Sequence, residues 1–168
     1  MMRAVLFILW CLRWLPPRWV SALGNGLGGL LFHWGRKRVT LINLKACFPE
    51  KSDDERERIG RGVFRNLARS TLALGRLWYA PLDVALANVK LVDRHFMDEW
   101  AGKVPIIVLA PHFVGIDAGG IRFQLESSFA SMYAQQKSRV LTEVMTSGRS
   151  RFNGAQMFLR NDGLRPAI

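Results

Sequence analysis

Metal-binding and disulfide-forming residues are scarce in this sequence of 168 residues. It has two cysteines, Cys11 and Cys47, which lie far apart without CxxC spacing and without a neighbouring histidine. No pair of histidines or cysteines has the spacing of metal ligands, so we expect no metal site. Both cysteines fall in apolar surroundings, and we interpret them as reduced packing residues.

Acidic residues are also few, with 13 Asp and Glu against 24 Lys and Arg, which gives a formal net charge of +11. An excess of this sign favours a polyanionic partner, and both nucleic acid and an anionic membrane surface would fit it. The sequence contains no basic-aromatic motif of the ribonucleoprotein kind, so we do not expect nucleic acid.

Charge is nearly absent from residues 4–34, where only Arg13 and Arg18 interrupt an apolar segment. A helix needs about 20 apolar residues to cross a bilayer. The segment Trp19–Trp34 is the better candidate for such a span, and we predict an N-terminal membrane anchor over residues 1–38. Basic residues follow at positions 36–38, which by the positive-inside rule indicates that the rest of the chain faces the cytoplasm. A signal peptide fits less well, because no cleavage site of small residues follows the first apolar run.

Glycine recurs in the predicted anchor, and two interpretations stay open. The glycines could mark close helix packing, or they could be the small residues that are common in membrane helices. They are Gly24, Gly26, Gly28 and Gly29.

Residues 39–80 are predicted to form a juxtamembrane amphipathic helical region. Ser52 and Glu55 have the spacing of a capping box, which indicates that a long helix begins there and continues to near Tyr79. Its predicted apolar face consists of Ile59, Val63, Leu67, Thr71, Leu74 and Trp78. Its basic face is either solvated or in contact with lipid phosphate, and it consists of Arg56, Arg58, Arg61, Arg65 and Arg69.

Short apolar runs alternate with helical patterns over residues 81–168, which is typical of an α/β fold. The run Val104–Ala110 has no polar residue and predicts a central strand covered on both faces. Asp162 and Gly163 predict the cap of a helix that has only begun at Ile168. We therefore predict an incomplete α/β domain with a central mixed sheet. Its other predicted strands are Val89–Val92, Ser131–Ala134 and Gln156–Leu159, and its predicted helices are Arg94–Ala101, Asp117–Leu125 and Ser138–Thr146.

His112 follows the predicted central strand, and Asp117 comes five residues later. The two side chains can meet if His112 lies in the turn after the strand and Asp117 lies in the first turn of the next helix. A carboxylate that accepts a hydrogen bond from one imidazole nitrogen leaves the other nitrogen free as a general base. The same spacing would also arise from a histidine that ends a strand and an aspartate that caps a helix.

Three motifs together resemble those of the lipid A biosynthesis (lauroyl/myristoyl) acyltransferases, which belong to the lysophospholipid acyltransferase superfamily. The resemblance covers nearly the whole chain. It implies an enzyme of the bacterial inner membrane that moves an acyl chain from acyl carrier protein to a hydroxyl of a lipid A precursor, with no other cofactor. The motifs are Asn43-Leu44-Lys45-Ala46-Cys47-Phe48-Pro49-Glu50, Ala110-Pro111-His112-Phe113-Val114-Gly115-Ile116-Asp117 and Gly148-Arg149-Ser150-Arg151.

The resemblance also implies roles for individual residues. His112 would be the general base and Asp117 would orient it, and the acceptor hydroxyl would attack the thioester directly without an acyl-enzyme. The absence of a G-x-S-x-G elbow agrees with direct transfer. Arg149, next to Gly148, would bind a phosphate or stabilise developing negative charge, and Arg160 would be a second anion contact.

Members of that family continue beyond the point that corresponds to Ile168, so the chain resembles a truncated member. Two alternatives stay open beside the leading function. One is an acyltransferase that acts on another membrane lipid or glycolipid, and the other is a membrane-tethered anion-binding fragment without catalysis.

Overall fold

The computed structural model of the protein describes residues 2–87, 89–152 and 155–162. The chain divides into two compact units. One unit is Phe7–Arg76, and the other comprises the described residues of Met1–Leu6 and Leu77–Ile168. The domain boundaries predicted at residues 38 and 80 stay predictions.

Helices form most of the unit Phe7–Arg76. They are α1 (Met2–Leu12), α2 (Pro17–Trp34), α3 (Lys37–Cys47) and α4 (Asp53–Tyr79), of which α1 begins and α4 ends in the other unit. Pro17 is the first residue of α2, a position that tolerates proline because the missing N–H has no partner inside the helix.

The predicted N-terminal membrane anchor is wrong. Among the described residues, no helix is both long enough and apolar enough to cross a membrane. The break at Pro16 and Pro17 divides the apolar segment into two helices, and α1 has only 11 residues. The longer helix α2 includes Arg18, Asn25 and His33, which lower its mean hydropathy.

Small residues let α2 and α4 approach each other closely. A Cβ atom on Gly28 would lie 2.5 Å from Cα of Arg65, and one on Gly24 would lie 2.7 Å from Cα of Arg69. Gly26 and Gly29 have no such neighbour within 4 Å. Close helix packing therefore explains two of the four glycines in this segment.

The capping box at the start of α4 is confirmed. The backbone N–H of Ser52 donates to Oε2 of Glu55 over 2.9 Å, and the backbone N–H of Glu55 donates to Oγ of Ser52 over 3.2 Å. These two bonds satisfy backbone donors that a helix start would otherwise leave without a partner. The helix ends at Tyr79, as predicted.

The predicted apolar face of α4 is not buried in its central part. Val63 and Leu67 are exposed, whereas Gly60 and Ala68 are buried. Trp78 is buried as predicted. At Gly60 the absence of a side chain admits α2, since a Cβ atom there would lie 2.9 Å from the ring of Phe32, and a count of apolar residues does not detect that.

Arg56 belongs to neither of the two environments proposed for the basic face. It is buried, and its Nη1 donates to the carbonyl oxygens of Phe48, Pro49 and Lys51, while its Nη2 donates to Asp53. The guanidinium thus binds carbonyl oxygens of the turn that follows α3, and basic side chains commonly bind carbonyls in this way at a helix end. The side chains of Arg58, Arg65 and Arg69, by contrast, are exposed.

Both cysteines are free and exposed. Cys11 lies near the end of α1, and Cys47 is the last residue of α3. The interpretation of these two side chains as packing residues is therefore wrong.

The second unit contains short helices and two strands. The helices are α5 (Leu82–Leu86), α6 (His95–Asp98), α7 (Ile116–Phe123) and α8 (Arg139–Arg149). The strands β1 (Ala130–Tyr133) and β2 (Gln156–Leu159) pair in parallel, with Ala130 opposite Gln156 and Tyr133 opposite Leu159. Helix α8 makes the crossover between them, and a 3-10 turn follows β2 at Arg160–Asp162.

The predicted α/β domain with a central mixed sheet is wrong, because the described chain is mostly helical and its sheet has two short parallel strands. Val104–Ala110 has no regular secondary structure, and Ile107 and Leu109 are more than nine-tenths exposed. Val89–Val92 is not a strand either. Four predicted elements are confirmed, with bounds that agree to within three residues. They are the strands Ser131–Ala134 and Gln156–Leu159 and the helices Asp117–Leu125 and Ser138–Thr146. The helix predicted after Gly163 lies outside the described residues.

Candidate functional site

An ion pair brings together two of the residues predicted to carry function. Asp117 lies in the first turn of α7, and Arg149 is the last residue of α8. Nε of Arg149 donates to Oδ1 of Asp117 over 2.6 Å. Both side chains are about three-quarters buried, so water screens this pair less than it screens an exposed one.

Contacts at both ends hold α8 in place. Ser138 caps the start of the helix, where its Oγ accepts a hydrogen bond from the backbone N–H of Leu141. At the other end Gly148 is buried, and a Cβ atom there would lie 2.6 Å from the indole ring of Trp78. Only glycine lets the helix approach the ring this closely.

Arg151 fixes the chain just beyond α8. Its guanidinium donates to the carbonyl oxygen of Leu77 over 3.0 Å and to that of Ala80 over 2.7 Å. These carbonyls lie at the end of α4, where a cation also interacts favourably with the helix dipole. Burial lowers the pKa of the Arg151 guanidinium. Arg151 therefore has a structural role beside Arg149.

Gln124 is a further site neighbour, and the sequence interpretation missed it. Its side chain is 1% exposed, and its Nε2 donates to the carbonyl oxygen of Arg149 over 2.6 Å. It follows α7 directly. Gln124 belongs to none of the motifs above. The one feature of the sequence that could have indicated it is its position seven residues after Asp117, which places both residues on the same face of the helix.

None of the contacts described above involves His112. It is exposed and belongs to a segment without regular structure that leads into α7. In the described part of the chain, no hydrogen bond or ion pair joins the side chain of His112 to Asp117, whose carboxylate binds Arg149. The orientation of His112 by Asp117 stays a prediction.

Arg160 is exposed and begins the 3-10 turn after β2. Among residues 2–87, 89–152 and 155–162, no hydrogen bond or ion pair connects it to Asp117 or Arg149. Its predicted role as an anion contact stays a prediction as well.

The ion pair leaves most of the donors of Arg149 unused. A guanidinium has five N–H donors, and one of them binds Asp117. Among the described residues, neither Nη1 nor Nη2 of Arg149 has a hydrogen-bond partner. These terminal nitrogens can bind an oxyanion or a phosphate while the carboxylate fixes the plane of the group.

The sequence is similar to one family over its full extent, since residues 1–168 match the family described as bacterial lipid A biosynthesis acyltransferase. The lipid A biosynthesis lauroyltransferase of Escherichia coli (strain K12) is 26% identical over 153 residues, which cover 89% of this chain and 50% of that protein. Lipid A biosynthesis acyltransferase 2 of Shigella flexneri is 31% identical over 153 residues, or 90% of this chain and 46% of that protein. The chain thus spans about half the length of these relatives. No solved structure matches it significantly.

Proposed function

Because the chain belongs to the bacterial lipid A biosynthesis acyltransferase family, we propose that it transfers a fatty acyl chain to a hydroxyl group of a lipid A precursor. Membership confirms the resemblance found in the three sequence motifs. The observation that best supports a site in this chain is the 2.6 Å ion pair between Asp117 and Arg149, which unites two of those motifs.

In the proposed mechanism His112 is the general base. It takes the proton of the acceptor hydroxyl while the hydroxyl oxygen attacks the carbonyl carbon of an acyl thioester. The carbon–sulfur bond then breaks, the ester bond is complete, and the proton passes from the imidazolium to the departing thiolate. No acyl-enzyme forms. General base catalysis of this kind contributes about 100-fold to 10,000-fold in rate.

Asp117 and Arg149 support this step in the proposal. The carboxylate of Asp117 orients the imidazole of His112 during the reaction and holds Arg149 by its Nε. The terminal nitrogens of Arg149 stabilise the oxyanion that develops on the thioester carbonyl or bind a phosphate of the lipid. Gly148 permits the approach of α8 to Trp78, and Arg160 provides a second contact for an anionic group.

Acyl carrier protein is the proposed donor. The chain carries a net charge of +11, and a surface of this sign favours encounter with a donor that carries negative charge through long-range attraction. Salt should therefore lower the rate of transfer at low donor concentration, because it screens that attraction.

The proposed location is the cytoplasmic face of the bacterial inner membrane, through surface contact. Large apolar side chains recur on α2 at Leu23, Leu27, Leu30 and Trp34, all of which are exposed, and Trp34 is 84% exposed. Trp side chains favour the membrane interface, and exposed apolar surface of this kind marks a contact with lipid or protein. Binding of the chain to vesicles that contain anionic lipid, measured by sedimentation, tests this location.

The proposed function is tested by an acyl transfer assay with the purified chain and an acyl thioester of acyl carrier protein. Parallel reactions contain a lipid A precursor, a lysophospholipid or no acceptor. We expect the ester product with the lipid A precursor. Transfer to the lysophospholipid alone would mean that the acceptor is a lysophospholipid and not a lipid A precursor. Absence of transfer to either acceptor would contradict catalysis by this chain.

A further inference from the structure

Gln124 is a buried polar residue whose position suggests more than packing. One side-chain nitrogen donates to the carbonyl oxygen of Arg149 over 2.6 Å. The side-chain oxygen Oε1 is buried and has no hydrogen-bond partner among the described residues. Burial of an amide with one unsatisfied atom is unfavourable. Stability alone would favour an apolar side chain at this position.

The geometry of α7 connects Gln124 with Asp117. The two residues are seven positions apart, or nearly two full turns, so their side chains leave the same face of the helix about 10 Å apart along its axis. The helical path holds up to Gln124, whose backbone N–H donates to the carbonyl oxygen of Gly120 over 3.1 Å.

Arg149 is held at both of its ends by this one face. Asp117 binds the Nε of its side chain, and Gln124 binds its main-chain carbonyl. The position of the guanidinium relative to Asp117 therefore depends on where Gln124 fixes the backbone.

We propose that Gln124 is a positioning residue for acyl transfer, which sets the guanidinium of Arg149 against Asp117 through the main chain. The inference rests on the proposed function of this site. Gln124 does not touch the substrate; it keeps Nε of Arg149 on the carboxylate, so that the terminal nitrogens stay aimed at the oxyanion that develops on the thioester carbonyl. Loss of its amide donor would let the end of α8 shift relative to α7.

The test variant is Gln124→Met, which keeps a side chain of similar length and removes the donor. A misplacement of about 1 Å in a catalytic group lowers the rate by up to about 100-fold. We expect kcat to fall by about tenfold to 100-fold while KM stays within about twofold, because the contact acts on the transition state. A change in KM with an unchanged kcat would overturn the proposal.

Ile121→Val is the matched control. Ile121 lies on the same helix, is as deeply buried as Gln124 at 1% exposure, and is not part of the proposed site. The loss of one methyl group should destabilise the chain and leave kcat unchanged. If Gln124→Met and Ile121→Val are equally destabilised and lose kcat equally, Gln124 has only a structural role. That result would overturn the proposal.

A second measurement is independent of activity. Hydrogen exchange of the Nε–H of Arg149, followed by NMR, should be slow in the wild type and in Ile121→Val, because the carboxylate protects this proton. It should be faster in Gln124→Met. Unchanged exchange in Gln124→Met would refute the positioning role, whether or not the chain transfers acyl groups. Absence of transfer by the wild type would refute the proposed function without affecting the exchange result.

Discussion

The substitution Gly28→Ala tests the close contact between α2 and α4. The added Cβ atom would lie 2.5 Å from Cα and 2.7 Å from N of Arg65. All of these neighbours are backbone atoms, so no side-chain rotation can relieve the clash, and the two helices must move apart. Movement would also disturb the buried Phe32, whose ring meets that of Phe64 edge to face at 5.6 Å.

Two effects of opposite sign determine the magnitude. Alanine in place of glycine within a helix stabilises by about 0.5–1 kcal/mol. Overpacking of a well-packed site costs about 1–3 kcal/mol, and a backbone contact lies toward the upper end of that range. We therefore expect Gly28→Ala to lower the free energy of unfolding by about 1–2 kcal/mol.

Gly29→Ala is the matched control, one position further along the same helix. A Cβ atom on Gly29 meets nothing within 4 Å, so this variant should be as stable as the wild type or more stable, by up to about 1 kcal/mol. Urea unfolding followed by circular dichroism measures both variants. Equal stabilisation by Gly28→Ala and Gly29→Ala would refute the close approach of α2 to α4.

Three further predictions concern other contacts. Ser52→Ala should destabilise the chain by about 1 kcal/mol in urea unfolding, because it removes a helix cap, whereas Ser52→Asp should retain most of the stability. The pKa of Glu57 is lowered from its ordinary value of 4.5, first by a hydrogen bond from Arg61 and then by a neighbouring lysine. Its contribution to stability is therefore present above pH 4.5 and is lost as the pH falls through the lower pKa of the folded state. The stability difference between the wild type and Glu57→Gln should shrink on acidification. Gly148→Ala should destabilise by about 1–3 kcal/mol and lower transfer activity, because its Cβ would lie 2.6 Å from the ring of Trp78.

Ser52→Ala with wild-type stability would mean that the cap does not contribute. A stability difference for Glu57→Gln that is constant between pH 7 and pH 3 would exclude the lowered pKa as its source. Gly148→Ala with unchanged stability and activity would show that contact with Trp78 is not required.

The sequence predicted those elements whose signals lie within a few adjacent residues. Ser52 and Glu55 form their capping box through bonds three residues apart, and Ser138 caps α8 in the same local way. The strand Gln156–Leu159 also has the bounds that its apolar run indicates. In these cases little depends on distant parts of the chain.

The errors share a physical cause, which is dependence on partners that the sequence does not name. The apolar run Val104–Ala110 predicts a strand, but a strand forms only against another strand, and β propensity follows that context. The membrane anchor was inferred from apolar content in α2, while the glycines at positions 24 and 28 serve packing against α4. Hydrophobicity alone could not distinguish a helix that crosses a membrane from one that packs against another helix.

The candidate site was predicted in part. The family motifs pointed to Asp117 and Arg149, but their spacing of 32 residues could not indicate that they form an ion pair. The expected partner of Asp117 was His112. Gln124 was missed because its contact with a main-chain carbonyl leaves no pattern of residue types.

The central claim, that His112 is the base of an acyltransferase, is tested most directly by acyl transfer with His112→Ala. His95→Ala is the control, since His95 is also exposed and has no role in the proposed mechanism. The rates are compared with an acyl carrier protein thioester and a lipid A precursor. We predict that His112→Ala lowers the rate by about 100-fold or more while His95→Ala keeps the wild-type rate. Transfer by His112→Ala at the wild-type rate would contradict the account.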